Sequence, residues 1–388
     1  MMQLEPEDEQ ILNGEYGETR QKMMELLVGL GKVFGAEELI PITSAQVSGA
    51  SYKTIGEWGL EWLRKMDAKV VVPTVLNPIG MDRLRWKEMG IPEDFAKKQN
   101  EVVEAYKKLG IELECTCTPY YLSITQFGEH LAWAESSAVC YANSVIGART
   151  NREGGPAALA AAIIGKTPFY GLHIFKNRLP DVGVVIDDPS ELKDAADFGA
   201  LGYVAGKSIG NRIPFFTGIR PNRDQLKAMG AAMAASGAVA LFHVDTITPE
   251  TRFPTFKKDV PETIEVSMAE VREVFSSMDV DAVAVGCPHL SPAELESLGD
   301  LLAGKKVTKP FFVFAARGVI ADHPQAVVTI ERSGAKVYAD TCVVVSPALD
   351  RYDRIMVNSG KALAYVPTMC GAVARIGTLE ECVTVATS

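Results

Sequence analysis

Cysteine is the residue type whose positions in this chain point most directly to chemistry. There are seven cysteines at scattered positions, and an odd, scattered set argues against a disulfide framework. Cys117, Cys287 and Cys342 each follow a stretch that the sequence predicts to be a buried strand. In open α/β sheets the loops beyond the carboxyl ends of strands converge on one crevice. Three thiolates delivered in this way can hold an iron–sulfur cluster.

The number of ligands decides what such a cluster can do. Four cysteines saturate it and suit electron transfer, whereas three leave one iron open. An open iron can accept a hydroxyl or carboxylate oxygen and act as a Lewis acid. The three positions are 170 and 55 residues apart, so there is no compact ferredoxin-type motif. The spacing alone is equally compatible with cysteines that fill the core.

The four remaining cysteines offer alternative assignments. Cys140 and Cys382 lie in apolar helical segments and are predicted to be core residues. Cys115 precedes Cys117 by two positions, which leaves a Cys-x-Cys pair open as an alternative. Cys370 lies in a predicted turn and is the strongest competitor for a ligand position.

Three further segments carry groups that could bind an anionic substrate. The turn at residues 48–51 can present backbone N–H groups to a carboxylate or phosphate, or can simply cap the helix that follows. Asn77 and Pro78 form a turn after a buried strand. Lys361 follows Ser-Gly and either acts as a point charge for an anion or lies in solvent.

Two titratable residues have more than one possible role. Glu135 lies in the segment 129–146, whose spacing predicts a helix. Burial without a partner would raise the pKa of Glu135 and make it an acid/base candidate, while pairing with Arg149 or Arg152 would make it an ordinary ion pair. His289 either orients a ligand, shuttles a proton or makes a structural hydrogen bond.

The elements that position these residues alternate between strand and helix. The predicted strands are 68–75, 110–115, 182–186, 239–244, 282–285, 310–314 and 336–338. The predicted helices include 83–108, 157–164, 291–302 and 323–333. This alternation with apolar strands is typical of parallel sheets covered on both faces, and therefore of an α/β fold.

Two stretches rich in Pro, Gly and Arg, 210–224 and 249–262, interrupt the alternation and are either domain seams or long active-site loops. We place a boundary at the first of them. Residues 1–210 then form an N-terminal region with the first cysteine ligand and the substrate loops. Residues 211–388 form a C-terminal α/β region with the other two cysteine ligands.

Composition and charge exclude several classes of protein. The chain has 388 residues, 47% of them hydrophobic and 23% charged, with a net charge of −10. The negative charge disfavours nucleic-acid and anionic membrane partners. The first ten residues are acidic, unlike a secretion signal, and the most apolar stretch, 230–244, is shorter than the roughly 20 residues that a membrane helix requires. We expect a cytoplasmic protein.

A set of short segments, taken in order, resembles a known family. The segments are 48–52, 76–80, 117–120, 133–144, 149–155, 286–289, 340–342 and 358–361. Together they are similar to the large subunit of aconitase X proteins. The resemblance implies an aconitase-like α/β fold with several doubly wound α/β domains and largely parallel sheets around a central cleft.

The resemblance also implies a set of site residues. The cluster, taken as [4Fe-4S] with one open iron, would be bound by Cys117, Cys287 and Cys342. The implied substrate contacts are Gly49, Ala50, Ser51, Asn77, Pro78, Glu135, Ser136 and Lys361. Of these, Glu135, Ser136 and Lys361 would be catalytic. Family members often carry a larger residue at position 50, which matters little for a main-chain contact.

The implied activity is that of a hydro-lyase acting on a small phosphorylated hydroxy acid. The reaction that the resemblance favours converts (R)-mevalonate 5-phosphate to trans-anhydromevalonate 5-phosphate, in isoprenoid synthesis. A separate small subunit, the swivelling domain of the aconitase superfamily, would supply a catalytic serine. The alternatives are a cis-3-hydroxy-L-proline dehydratase, a non-enzymatic iron sensor that binds RNA, and a structural subunit with core cysteines only.

Overall fold

The structure is a computed structural model that describes residues 2–122, 125–257 and 260–388. Its strands are β1 Leu39–Pro41, β2 Ser44–Val47, β3 Thr74–Leu76, β4 Glu112–Cys115, β5 Leu131–Trp133, β6 Lys166–Pro168, β7 Val182–Ile186, β8 Pro214–Phe216, β9 His243–Val244, β10 Thr263–Val266, β11 Ala282–Leu290, β12 Phe311–Ala315, β13 Lys336–Tyr338, β14 Arg354–Val357 and β15 Val373–Ile376.

The helices lie between these strands. They are α1 Pro6–Leu12, α2 Glu18–Phe34, α3 Tyr52–Arg64, α4 Glu93–Lys108, α5 Ser136–Tyr141, α6 Gly155–Ile164, α7 Ala195–Ile209, α8 Arg223–Ser236, α9 Met268–Glu273, α10 Pro292–Leu302, α11 Arg317–Asp322, α12 Pro324–Ser333, α13 Gly360–Met369 and α14 Leu379–Thr387. A 3₁₀ turn, Pro119–Leu122, follows β4, and a π turn, Ala142–Ile146, extends α5. Among the described residues, no helix combines the length and apolar character that crossing a bilayer requires.

Three parallel sheets follow one another along the chain. The first has the strand order β4-β3-β2-β5, the second β10-β7-β8-β9 and the third β13-β12-β11-β14-β15. All neighbouring strands within these sheets are parallel, and β1 and β6 form a separate antiparallel pair. Every residue of β11 is buried, as expected for a central strand covered by helices on both faces. The predicted α/β fold class is therefore confirmed.

Some element boundaries differ from the sequence predictions. Residues 131–133, predicted to begin a helix, form strand β5, and the helix starts only at Ser136. The predicted helix 83–108 begins at Glu93, because Pro92 occupies the N-cap position with extended backbone. The sequence predictions also lack the strands β1, β2, β6, β8, β10, β14 and β15. We call each parallel sheet, together with the helices that cover it, a layer. The boundary placed at residue 210 falls between α7 and β8, two elements of the second layer.

A buried arginine ties the first layer to the second. Arg178 is fully buried, and its Nε and Nη2 donate to the two carboxylate oxygens of Glu250 at 2.7 and 3.0 Å. Its Nη1 donates to Asn143 Oδ1 at 3.1 Å, so the guanidinium serves both layers. The backbone oxygen of Arg178 lies 2.8 Å from His243 Nε2, and because a carbonyl only accepts, His243 carries its proton there.

Two buried histidines at this seam make the fold sensitive to acid. Burial lowers the pKa of His173 to about 3 and that of His243 to about 4, and the Arg178 cation acts in the same direction on both. In the unfolded chain both protonate near pH 6.5. The free energy of unfolding should therefore be intact above pH 6.5 and decline as the pH falls towards 4, by about 3 kcal/mol per histidine at pH 4.

Urea unfolding of the metal-free chain at pH 7, 6, 5 and 4 measures this decline. The variant His243→Gln removes the titration of this one histidine, so its free energy of unfolding should fall less steeply over the same range. An identical pH dependence in wild type and variant would contradict the assignment.

Candidate active site

The three predicted cysteine ligands come from the first and third sheets. Cys117 follows β4 by two residues, and Cys342 follows β13 after a tight turn. Cys287 lies within β11, in the stretch between Val285 and Leu290 where the register with β12 shifts. The regular pairing of β11 with β12 is therefore interrupted at the position of the Cys287 thiol.

The three thiols lie close enough to influence one another. Burial raises the pKa of Cys117 to about 12, with Cys342 adding to the shift and Lys361 opposing it. Burial also raises the pKa of Cys287, and both Cys342 and Cys117 contribute. Lys361 acts in the opposite direction on all three thiols. Removing these thiol protons is therefore costly unless a cation or metal centre joins Lys361 in balancing the charge.

The first and third sheets meet beside these thiols. Ile79 forms an isolated parallel bridge with Thr341, and its N–H and C=O pair with Asp340 O at 2.7 Å and Cys342 N at 3.0 Å. Asp340 adopts a left-handed backbone with φ of 59°, an unfavourable conformation outside glycine. The position of Cys342 is thus fixed by the loop that carries Asn77 and Pro78.

Charged groups hold Asp340 in that conformation. Its carboxylate is fully buried and accepts from Arg83 Nε at 2.9 Å and from Arg317. Arg317 also donates to Asp82 Oδ1 at 3.2 Å. Because Arg83 and Asp82 belong to the first layer and Arg317 to the third, this ion network connects the two layers immediately before Cys342.

His289 links all three cysteine loops. Its backbone N–H donates to Cys117 Sγ at 3.2 Å, its Nδ1 lies 3.1 Å from Thr116 Oγ1, and its Nε2 lies 2.9 Å from Thr341 O. The carbonyl acceptor requires the proton on Nε2, so Nδ1 accepts from the threonine hydroxyl. Burial lowers the pKa of His289 to about 4. These contacts are the structural hydrogen bonds that the sequence left open, and they join the loops that carry the predicted ligands.

Replacing this imidazole should weaken metal binding without unfolding the chain. We expect His289→Ala to lower iron affinity by about 10- to 100-fold, the usual cost of removing a group that orients a ligand. His289→Gln should restore part of it, since the amide offers one donor and one acceptor. Iron bound per chain at limiting iron is the measurement, with the far-ultraviolet circular dichroism as the check on folding. Wild-type iron binding by His289→Ala would contradict the prediction.

The donors around the cysteines separate possible ligands from ordinary thiols. Burial raises the pKa of Cys342, and the backbone N–H groups of Val344 and Val345 act against that rise, as the N–H of His289 does at Cys117. Cys370 has the opposite surroundings, because its sulfur faces the carbonyl oxygens of Val343 at 3.8 Å and Val344 at 4.0 Å. Carbonyls favour a protonated thiol, so Cys370 is less suited to metal than its competitors.

These surroundings fit an iron–sulfur cluster better than a single metal ion. Within the described residues, no three His, Cys, Asp or Glu side chains converge closely enough to hold one ion. Cysteine ligands of a cluster bind different irons and can therefore stand further apart. Backbone N–H donors on the sulfurs of Cys117 and Cys342 are the kind of contact that tunes such clusters.

Glu135 and Lys361 form a buried ion pair beside the thiols. Glu135 Oε1 accepts from Lys361 Nζ, and its Oε2 accepts from Ser137 Oγ at 2.5 Å and from the N–H of Ala138 at 2.7 Å. Ser136 Oγ lies 3.2 Å from Oε1. The carboxylate therefore caps α5 and is saturated with donors at the same time.

The charge state of this pair follows from its contacts. Burial opposes ionisation of Glu135, but the Lys361 ammonium and the serine and backbone donors outweigh it and lower its pKa. Burial likewise opposes the ammonium, but the Glu135 carboxylate raises the pKa of Lys361, and Cys287 and Cys117 act in the same direction. The sequence left Arg149 or Arg152 open as partners of Glu135. That alternative is wrong, because Arg149 donates to the backbone of His173 and Arg152 to that of Ala234.

Close helix packing places Lys361. At Gly360 an added Cβ would lie 2.2 Å from Gly199 O, so only glycine lets the start of α13 approach α7 this closely. Ser359 caps α13 by accepting from Ala362 N at 3.1 Å, and its hydroxyl donates to Cys287 O. The motif at 358–361 therefore fixes both Lys361 and the Cys287 loop.

The two predicted substrate loops are joined by one glutamine. Gln99 Nε2 donates to Ala50 O at 2.8 Å, and its Oε1 accepts from Tyr52 N at 3.1 Å and Gly80 N at 3.2 Å. Ser51 caps α3 through Lys53 N at 3.3 Å and contacts Val345 O at 3.4 Å.

Backbone and side-chain details of these loops leave groups for a ligand. Gly49 has a positive φ of 83°, which lets the turn before α3 form. Asn77 Oδ1 is buried and has no hydrogen-bond partner among the described residues, and Pro78 follows it in the loop bridged to Thr341. An unpaired buried oxygen at this place suits a bound ligand.

Sequence reasoning missed two buried glutamines that organise the site, Gln99 and Gln46. Gln46 Nε2 donates to Thr116 O at 2.8 Å, and its Oε1 accepts from Glu135 N at 3.3 Å. It therefore joins the Cys117 loop to the ion pair from the middle of β2. A polar residue with apolar neighbours in a short buried strand was the available signal.

Comparisons with known proteins agree with this arrangement. Family models described as the first, second and third domains of aconitase X match residues 1–176, 180–276 and 280–388. The chain belongs to the aconitase X family. Each of the three models covers one of the parallel sheets described above.

Named aconitase X relatives fall into two groups. The chain is 54% identical to the phosphomevalonate dehydratase large subunit of Methanosarcina mazei, over 100% of this chain and 97% of that protein. It is 48% identical to the protein of the same name from Methanocaldococcus jannaschii, over 98% and 99%. It is 33% identical to the cis-3-hydroxy-L-proline dehydratase of Pseudomonas aeruginosa, over 97% of this chain but 68% of that protein.

A solved structure has the same fold. The crystal structure of Thermococcus kodakaraensis aconitase X in its holo-form has a TM-score of 0.92 and 45% sequence identity, covering 99% of this chain and 100% of that one. The aconitase-like architecture expected from the sequence is thereby confirmed.

Proposed function

We propose that this chain is the large subunit of a phosphomevalonate dehydratase, a hydro-lyase that converts (R)-mevalonate 5-phosphate to trans-anhydromevalonate 5-phosphate. Full-length similarity at 47% to 54% identity to four proteins of that name supports it. The observation that carries the proposal is the convergence of three thiols and one buried Lys–Glu pair at the meeting of the first and third layers.

We infer that Cys117, Cys287 and Cys342 hold an iron–sulfur cluster, [4Fe-4S] with one iron free of protein ligands. When bound, it supplies a Lewis acid that stabilises the charge developing on the departing hydroxyl. The N–H donors on Cys117 and Cys342 support these ligands.

The chain's own residues bind and orient the substrate. Dehydration removes a proton from the carbon next to the carboxylate and hydroxide from the following carbon, and the C–H electron pair becomes the new double bond. Lys361 supplies the buried positive charge for an anionic group of the substrate. The N–H groups of residues 49–51 and the amide of Asn77 supply neutral contacts, with Ala50 and Pro78 shaping the loops.

Glu135 and Ser136 act through Lys361 in the resting site. Because its pKa is lowered and its oxygens already accept several hydrogen bonds, Glu135 is a carboxylate that fixes the ammonium. Ser136 donates to the same carboxylate. The lowered pKa of Glu135 and the donors already bound to both of its oxygens make this carboxylate a weak base, so the base for the carbon-bound proton is assigned elsewhere.

We assign that base to a serine of a separate small subunit. The relatives named as large subunits support the existence of such a partner. The hydroxyproline dehydratases also extend well beyond the part that this chain matches, which is 68% of their length. All seven cysteines are free thiols, in keeping with the reducing cytoplasm that we propose for the complex.

Turnover by the reconstituted complex tests the proposal. The chain is purified anaerobically with and without its small subunit, loaded with iron and sulfide, and given mevalonate 5-phosphate, mevalonate or cis-3-hydroxy-L-proline. We expect dehydration of mevalonate 5-phosphate alone, and only with the small subunit and iron present. Turnover of hydroxyproline instead, or tight RNA binding by the iron-free chain, would overturn it.

A further inference from the structure

One buried polar atom close to the proposed cluster has no use within the chain. The hydroxyl oxygen of Tyr120 is enclosed and has no hydrogen-bond partner among the described residues. A buried hydroxyl without a partner is costly, and in native proteins such a group calls for a specific explanation.

The ring that carries this hydroxyl is held in place. Tyr120 lies three residues after Cys117, in the 3₁₀ turn Pro119–Leu122. Its ring stacks on Tyr141 with centroids 3.8 Å apart and planes 17° apart. It also forms an edge-to-face pair with Tyr121, with centroids 4.8 Å apart. Because neighbouring rings pack against it on two sides, the hydroxyl is not free to swing towards another acceptor.

The surroundings keep this hydroxyl a donor. Burial raises the pKa of Tyr120 well above its usual value, and neighbouring tyrosines, Cys117 and Glu135 act in the same direction. The nearby negative groups already have donors of their own, since Cys117 accepts from His289 N–H and Glu135 from Ser137 and Lys361. The acceptor for Tyr120 is therefore a group that joins the site later.

We propose that the Tyr120 hydroxyl donates a hydrogen bond to a sulfur of the cluster bound by Cys117. The inference rests on the proposed function, because it requires the cluster. A cluster sulfur fits better than a substrate oxygen, since the hydroxyl is closed to solvent and lies on the short turn that follows the ligand. Hydrogen bonds to cluster sulfurs stabilise the more negative reduced state and raise the reduction potential.

The variant Tyr120→Phe removes only the hydroxyl. In the anaerobically loaded complex we expect the iron and sulfide content to be unchanged. The equilibrium constant for reduction of the cluster should fall about two- to tenfold, which is the effect of losing one hydrogen bond. For a one-electron couple this is a fall of about 20 to 60 mV, measured by redox titration followed with electron paramagnetic resonance. The urea midpoint of the metal-free variant should equal or exceed that of the wild type, because an unpaired buried hydroxyl has been removed.

The matched control is Tyr121→Phe, because the Tyr121 hydroxyl already has a partner, Asp224 Oδ1 at 3.5 Å. The reduction potential of the cluster in this variant should equal that of the wild type. An unchanged potential in Tyr120→Phe would overturn the inference, and a raised KM at unchanged potential would assign the hydroxyl to substrate instead. A lower urea midpoint of the metal-free variant would reveal a partner within the protein and overturn it as well. A wild-type chain that takes up no iron would contradict the proposed cluster, and this inference would fall with it. That outcome differs from a loaded cluster whose potential is the same in wild type and Tyr120→Phe, which would contradict this inference alone.

Discussion

Replacement of Cys117, Cys287 or Cys342 by serine should abolish iron binding and lower turnover by at least about a thousandfold. The loss is large because stabilisation of a departing hydroxide by a Lewis acid is worth several kcal/mol, and a serine hydroxyl does not replace a thiolate that accepts N–H donors. Iron and sulfide content, measured anaerobically beside turnover, shows whether both properties disappear together.

The remaining cysteines provide matched controls for the same substitution. Cys140 and Cys382 are fully buried in the core, so their serine variants should lose some stability yet keep iron and turnover. Cys370→Ser should also keep both, because the Cys370 thiol faces carbonyl oxygens. Loss of iron in Cys370→Ser, with iron retained in one of the three proposed ligand variants, would require a different ligand set.

The second large effect is expected at the buried ion pair. Lys361→Met leaves the Glu135 carboxylate buried without its cation, which should reduce the free energy of unfolding by about 3 to 5 kcal/mol and abolish turnover. In the double variant Lys361→Met/Glu135→Gln the uncompensated charge is gone. We therefore expect much of the stability to return while turnover stays absent.

Two measurements, urea unfolding and turnover, separate the structural role of Lys361 from its catalytic role. Both are made on Lys361→Met, on Glu135→Gln and on the double variant. A stability loss with normal turnover in Lys361→Met would show that the ammonium is structural only. A stability loss in the double variant equal to the sum of the losses in the two single variants would show that the pair contributes no coupling energy, contrary to its contacts.

The sequence predicts the features that depend on neighbouring residues, and it does not predict those that depend on residues far apart in the chain. The strands before Cys117 and Cys342 follow from local sequence patterns, and both are confirmed, although β4 is a partly exposed edge strand and not the buried strand predicted. The sequence predicts a helix at β5 because its three consecutive buried residues show no alternation of apolar and polar side chains. Pairing in β5 is decided by β2, more than 80 residues away.

The polar contacts of the site were the least predictable part. Glu135 meets Lys361 across 226 residues, and Gln46 reaches Thr116 across 70, so nothing near either residue signals its partner. His289 was visible in its motif, yet its three contacts lie in the first and third layers. Such contacts are fixed only when the sheets have come together.

The bridge between Ile79 and Thr341 sets an order of events during synthesis of the chain. Cys117 leaves the ribosome first, and Cys342 follows it 225 residues later. A nascent polypeptide therefore lacks at least one of the three proposed thiols until Cys342 has emerged, and assembly of the proposed cluster has to await that point. Translation products truncated before Cys342 lack one of the three proposed ligands.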